Sequence, residues 1–204
     1  MTPNFDLISV ELSRRVGHPV ASANADADSL TAAERTSYVN KALHKLFNDM
    51  WVGVKGSAAA FANIFPELIT ISAAVTLTGG NYTIANPYLD FAKLIGCKLS
   101  TDKYVKVWPP DYWSTIETGD NYQLNSSIAA DKPAVIQMNN ILYFYPKNSV
   151  FTPILQYIKL PLNPIDGSFL TQGGSYDSPF LPHWNSKIAS IAEELFLKDT
   201  QETT

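Results

Sequence analysis

The side chains able to do chemistry in this sequence are few, and their spacing does not join them. Three histidines, His18, His44 and His183, and a lone cysteine, Cys97, are the candidates for metal binding, proton transfer or nucleophilic attack. His18 lies in a Gly-His-Pro turn, His44 stands near Lys41 and Lys45, and His183 follows Pro182. None has a carboxylate at a spacing that would orient an imidazole. There is no G-x-S-x-G elbow, H-E-x-x-H pair, Walker loop or Rossmann fingerprint. Asn24, Asp26 and Asp28 alternate as calcium ligands do, yet the required glycine and distal glutamate are missing. Catalysis is not expected, nor is a metal or other cofactor. Cys97 has no activating neighbour and reads as a small core residue, and one cysteine excludes an intramolecular disulfide and fits a reducing compartment.

Two groups are better suited to contact than to catalysis. The run VWPPDYW sets Trp108, Tyr112 and Trp113 around a double proline. Such a cluster serves as an aromatic anchor at a protein interface, as a sugar-stacking platform, or as a clamp between a short helix and a sheet. The second group is charged: Lys41 and Lys45 with His44 on one helix, Glu193 and Glu194 on another. The glutamates are adjacent on their helix and point in different directions, so at least one faces solvent. Lys103, Lys106 and Lys132 are too dispersed to line a nucleic-acid groove.

The elements that must hold these groups begin with Leu30–Trp51. Thr31 and Glu34 have the spacing of a capping box, and Tyr38, Val39, Ala42, Leu43, Leu46, Phe47 and Met50 make one apolar stripe at helical intervals. A shorter helix near Phe5–Val16, capped by Asn4 or Thr2, precedes it across the polar run Ser22–Ser29. Ala58–Phe65 adds another turn or two. Residues 69–162 then change period, with strands expected at Ala74–Thr78, Tyr82–Ala85, Phe91–Leu99, Tyr104–Val107 and Phe151–Leu160. Gly79-Gly80-Asn81 marks one hairpin connection, and Asn139-Asn140 joins Ala134–Met138 to Ile141–Tyr145 in the clearest one. A punctuated loop follows, and Pro182 opens a last helix carrying Trp184, Ile188, Ile191, Ala192 and Leu195, ending near Lys198.

These elements predict an α+β fold: a helical bundle of the N-terminal, long second and C-terminal helices, with an inserted antiparallel β region. The expected organisation is a discontinuous bundle over 1–68 plus 179–199, an insertion over 69–162, a loop over 163–178 and a flexible tail over 200–204. The chain is 46% hydrophobic and 17% charged, enough apolar material for a real core. A formal charge of −4 gives no basic footprint for nucleic acid. Asp6, Glu11, Arg14 and Arg15 occupy the place a signal peptide would keep apolar, and no apolar run approaches membrane-spanning length, so a soluble chain without a standard signal is expected.

In order along the chain, three motifs stand out: Thr31…Glu34…Val39-Asn40-Lys41-Ala42-Leu43, then Ile136-Gln137-Met138-Asn139-Asn140-Ile141-Leu142-Tyr143-Phe144-Tyr145-Pro146, then Leu181-Pro182-His183-Trp184. The ordered set resembles the head-to-tail connector, or adaptor, proteins of tailed bacteriophages, which sit beneath the portal. The resemblance implies a structural virion protein without enzymatic activity, made in the host bacterial cytoplasm and located at the head–tail junction. It implies a ring of about twelve copies closed by a head-to-tail interface, with the portal and tail or further adaptor proteins as partners, DNA passing without sequence-specific binding, and no membrane. In such a ring Lys41 and Lys45 would meet Glu193 or Glu194 of a neighbour, while Trp108, Tyr112 and Trp113 would be candidate interface residues. The loops Ser22–Ser29 and Asn163–Ser178 and the tail would order on assembly. The alternative from another class is a carbohydrate-binding or host-recognition module of a phage particle, using the same aromatic cluster.

Overall fold

A computed structural model describes residues 3–17, 30–77, 83–85 (backbone), 89–112, 133–139, 141–145 and 151–201. The readings that place His18 in a turn, a calcium-like run at Asn24–Asp28 and an anchor at Trp113 lie outside the described residues, as do Thr2, the connection Gly79–Asn81 and the end of the tail. The hairpin expected across that connection does not form: Ile69–Ala74 pairs with Pro153–Lys159 and Thr83–Ala85 with Ile141–Tyr145, at opposite ends of the sheet. Contacts divide the chain into two units, one of residues 1–68 with 160–204 and one of residues 69–159.

In the first unit, α1 (Asn4–Arg15), α2 (Ala32–Gly53) and α4 (Asn185–Gln201) pack pairwise, with α3 (Ala58–Ile64) following α2. The capping box at the start of α2 forms in full. Thr31 Oγ1 accepts from the Glu34 N–H at 3.2 Å, and Glu34 accepts from the Thr31 N–H at 2.7 Å. The Thr31 hydroxyl, which also donates to the Glu34 carboxylate at 2.7 Å, and then the Thr31 N–H hold that carboxyl below its ordinary range. The stripe of α2 is buried through Val39, Ala42, Leu43, Leu46, Phe47 and Met50, alongside Phe5, Ile8 and Leu12 of α1 and Ile188, Ala189, Ile191 and Ala192 of α4. Ser9 and Ser13 are also buried, each returning its hydroxyl to a carbonyl four residues back, which keeps that face of α1 narrow.

α1 corrects the capping expectation. Its N-cap position is Pro3, which offers no side-chain bond, and the amides of Asn4 and Phe5 donate instead to the two carboxylate oxygens of Asp177, at 2.7 and 2.8 Å. The Asn4 amide group donates to Phe180 O. Residues 160–181 hold no helix or strand, as expected. They are nonetheless strapped to the helices, with Leu170 and Phe180 fully buried and the Gly173 N–H on Asp6. The strap over 163–178 is thus tied to α1 through Asp6, Asn4 and Phe5 and to α2 through Asn40.

The second unit overturns the expected fold class. It is a large, curled mixed sheet, not a small antiparallel insertion in a helical bundle. Its strands are β1 (Ile69–Ala74), β2 (Thr83–Ala85), β3 (Phe91–Leu99), β4 (Tyr104–Trp108), β5 (Ala134–Met138), β6 (Ile141–Tyr145) and β7 (Pro153–Lys159). Their order is β1-β7-β3-β4-β5-β6-β2, six longer strands with three-residue β2 at one end. β4 and β5 run parallel, Val107 opposite Val135, because the chain between Pro109 and Pro133 is long enough to return in the same direction. The alternation of strand residues carries no signal for that direction, and this is why it was missed. The sheet also has its own core: Leu94, Val135, Leu142, Phe144, Leu155 and Tyr157 lie in one buried cluster. A unit with that much interior is a main body of the fold.

The β5–β6 hairpin forms as its asparagines predict, with Met138 opposite Ile141 and Asn139 at φ 50°, a left-handed backbone that asparagine tolerates. β1 begins at Ile69, earlier than the strand expected at Ala74–Thr78. It bulges between Ile71 and Ala74, where the buried Ser72 hydroxyl takes the Leu155 N–H at 2.9 Å.

Candidate functional site

The aromatic cluster of the second unit is built on the end of β4. Trp108 packs beside Ile136 and Tyr145 on one side of the sheet, and Pro109 ends the strand because it has no N–H to continue the ladder. Pro110–Tyr112 turns as a short 3-10 helix, which brings Tyr112 edge-on to the Trp108 indole with ring centres 4.9 Å apart. Lys106, two residues back and so on the same face of β4, lays its ammonium 4.0 Å from the centre of the Trp108 ring. Trp108 is half-buried and its indole N–H is enclosed with no acceptor among the described residues.

A cleft of about 320 Å³ opens here, lined by Lys93, Leu94, Val107, Trp108, Pro109, Pro110 and Gln137. Gln137 is committed on both ends, its carbonyl accepting the Leu94 N–H at 2.9 Å and its amide donating to Asn139 O at 3.3 Å. The aromatic signal was legible in the sequence. Lys93, Leu94 and Gln137 were missed because β3 and β5 reach the cleft through sheet pairing, which the local sequence does not reveal.

The charged candidates belong to the first unit, where they find partners in their own chain. Lys45 reaches Glu194 at 3.5 Å, Lys41 reaches Asp199 at 3.4 Å, and Arg15 joins Glu193 at 3.5 Å while also bonding Glu11. The partner that sequence reasoning assigned to a neighbouring subunit is thus supplied within one chain, because α2 and α4 pack side by side. These pairs are exposed or half-exposed and contribute little each.

The remaining titratable groups do not converge. His44 is half-buried, its Nε2 has no partner among the described residues, and burial holds its pKa below the ordinary value. His183 is exposed and lies against Trp184, whose indole N–H donates to Glu67 at 3.2 Å. Burial pushes the Cys97 thiol up to about 12, so it is a poor nucleophile. Asp90, buried beneath the Tyr157 hydroxyl, is pushed up by desolvation, and Lys159 is pushed down by the same cause. Among the described residues, no three His, Cys, Asp or Glu side chains gather as a metal site would require, and no helix is long and apolar enough to cross a membrane. Compared with protein-family models and with curated proteins, the chain matches none.

Proposed function

We propose that this chain is a structural, non-enzymatic assembly protein of the head-to-tail connector kind, forming a ring under a phage portal and presenting a docking surface to tail components. The observation that supports the reading is that two of the three resembling motifs share one unit. The motif on α2 and the Leu181-Pro182 motif that opens the closing helix belong to packed helices, and Asn40 of the first hydrogen-bonds to the backbone of Leu170 in the strap that leads to the second. Exposed apolar side chains add surface suited to lasting contacts: Val52 and Ile165 in the first unit, Ile71 and Tyr104 in the second. The net negative charge suits a channel through which DNA must slide.

The test is co-expression with a portal protein from the same genome, followed by native mass measurement and particle imaging. A ring of this chain seated on the portal is expected. Absence of association under conditions where both proteins fold overturns the reading.

A further inference from the structure

We infer that the Trp108 cleft is a binding site for an acidic, extended peptide segment that inserts an apolar side chain between Trp108 and Pro110. The inference rests on reading the chain as an assembly protein only for the source of that segment, a tail or adaptor protein. The chemistry is read from the cleft. Its floor and walls are apolar, formed by Leu94, Val107, Trp108, Pro109 and Pro110, which suits an aliphatic or aromatic anchor and a neighbouring proline.

Its charge is one-sided. Lys93 lines the cleft and Lys106 lies over the indole, and neither forms an ion pair among the described residues, while no acidic side chain lines the cavity. A peptide with carboxylates flanking the anchor supplies the missing charge. A neutral sugar fits less well. It would leave the charges of Lys93 and Lys106 unanswered. Single-stranded nucleic acid would also meet the cations, and its binding is one of the outcomes separated by the experiment.

The experiment is fluorescence anisotropy of the full chain with a fluorescein-labelled Glu-Glu-Phe-Pro-Glu-Glu peptide. Parallel arms use the same peptide with glutamine for glutamate, an oligogalacturonate and an oligothymidylate. Saturable binding is expected for the acidic peptide, weakened about tenfold by the glutamine version, by raised salt and by the double substitution Lys93→Glu with Lys106→Glu. Lys106→Ala, at an exposed position, serves as the second variant, and thermal unfolding of each checks the fold. No saturable binding of the acidic peptide, or binding that the charge variants leave unchanged, overturns the inference. So does tighter, variant-sensitive binding of the oligogalacturonate or oligothymidylate, which reassigns the cleft. The assay uses the chain without a portal, so its failure and a failure of ring formation are separate results.

Discussion

The side-chain amide of Asn40 reads both backbone groups of Leu170: its Nδ2 donates to the Leu170 carbonyl at 2.8 Å and its Oδ1 accepts the Leu170 N–H at 3.1 Å. Two residues 130 apart are thereby joined in a buried, paired contact, with a third bond from Nδ2 to Thr36 O. Asn40→Ala would leave a donor and an acceptor of the strap unpaired in the core, at a cost of about 2–4 kcal/mol. Asn40→Asp keeps the acceptor but sets a buried carboxyl oxygen against the Leu170 and Thr36 carbonyls, so it should cost at least as much as alanine. Urea unfolding measures both, and limited proteolysis should cut the alanine variant first within 160–181. Equal stability of the parent and Asn40→Ala would mean that Leu170 is held by its burial alone.

Asp177 performs for α1 what Pro3, at its N-cap position, does not. Its two oxygens take the Asn4 and Phe5 amides separately, and Oδ1 also takes the Ser178 N–H. Asp177→Ala should cost about 1–2 kcal/mol, the usual price of a lost cap. Asp177→Asn retains one acceptor and should cost less. Hydrogen exchange at Asn4 and Phe5 reports the effect locally, and faster exchange confined to the start of α1 is the expected pattern.

What was legible in the sequence was local. Thr31 and Glu34 stand three residues apart and cap α2 by themselves, and the two asparagines after Met138 specify their own turn. What was not legible depends on residues that meet only after folding. The α1 cap comes from Asp177, the parallel partner of β4 lies beyond a long connection, and the ion pairs of Lys45 and Arg15 follow from α4 lying beside α2 and α1. The aromatic half of the cleft is contiguous in sequence and was found. Its cationic and amide half comes from β3 and β5 and was not. The strap shows the same division, since its glycines and prolines predict irregular backbone but say nothing of the side chains on α1 and α2 that hold it.

Cys97 offers a direct check on the second unit. The thiol is 6% exposed, and burial pushes its pKa up to about 12, so thiolate is scarce at neutral pH. The native chain should react with a thiol reagent at less than about a hundredth of the rate of the urea-unfolded chain. Cys97→Ser places a hydroxyl among Leu94, Leu155 and other core side chains and should destabilise by about 1–3 kcal/mol. Fast labelling of the folded protein would show that the sheet opens around β3.

His44 sets a pH dependence whose sign is fixed by its burial. The imidazole meets Phe169 of the strap edge-on, ring centres 5.6 Å apart, and its Nε2 is enclosed without a partner among the described residues. The charged groups around it are cationic on its own helix, Lys41 and Lys45, each held by an acid of α4, while the strap contributes an uncharged ring. Desolvation lowers its folded pKa, so below an ordinary value of about 6.5 the unfolded chain binds a proton that the folded chain does not. Stability from the neutral imidazole is present above that value and is lost as pH falls from it through the folded pKa. Half-exposure makes the effect small, and the carboxylates add their own loss at lower pH, so the informative quantity is a difference between variants. His44→Leu removes the titration and keeps an apolar contact for Phe169. Urea midpoints measured between about pH 7 and pH 5 should fall less steeply for His44→Leu than for the parent. Proton NMR of the His44 ring should titrate below the ordinary histidine value. Parallel midpoint curves for the two proteins, with an ordinary His44 titration, would place the imidazole in water and remove its contact with the strap.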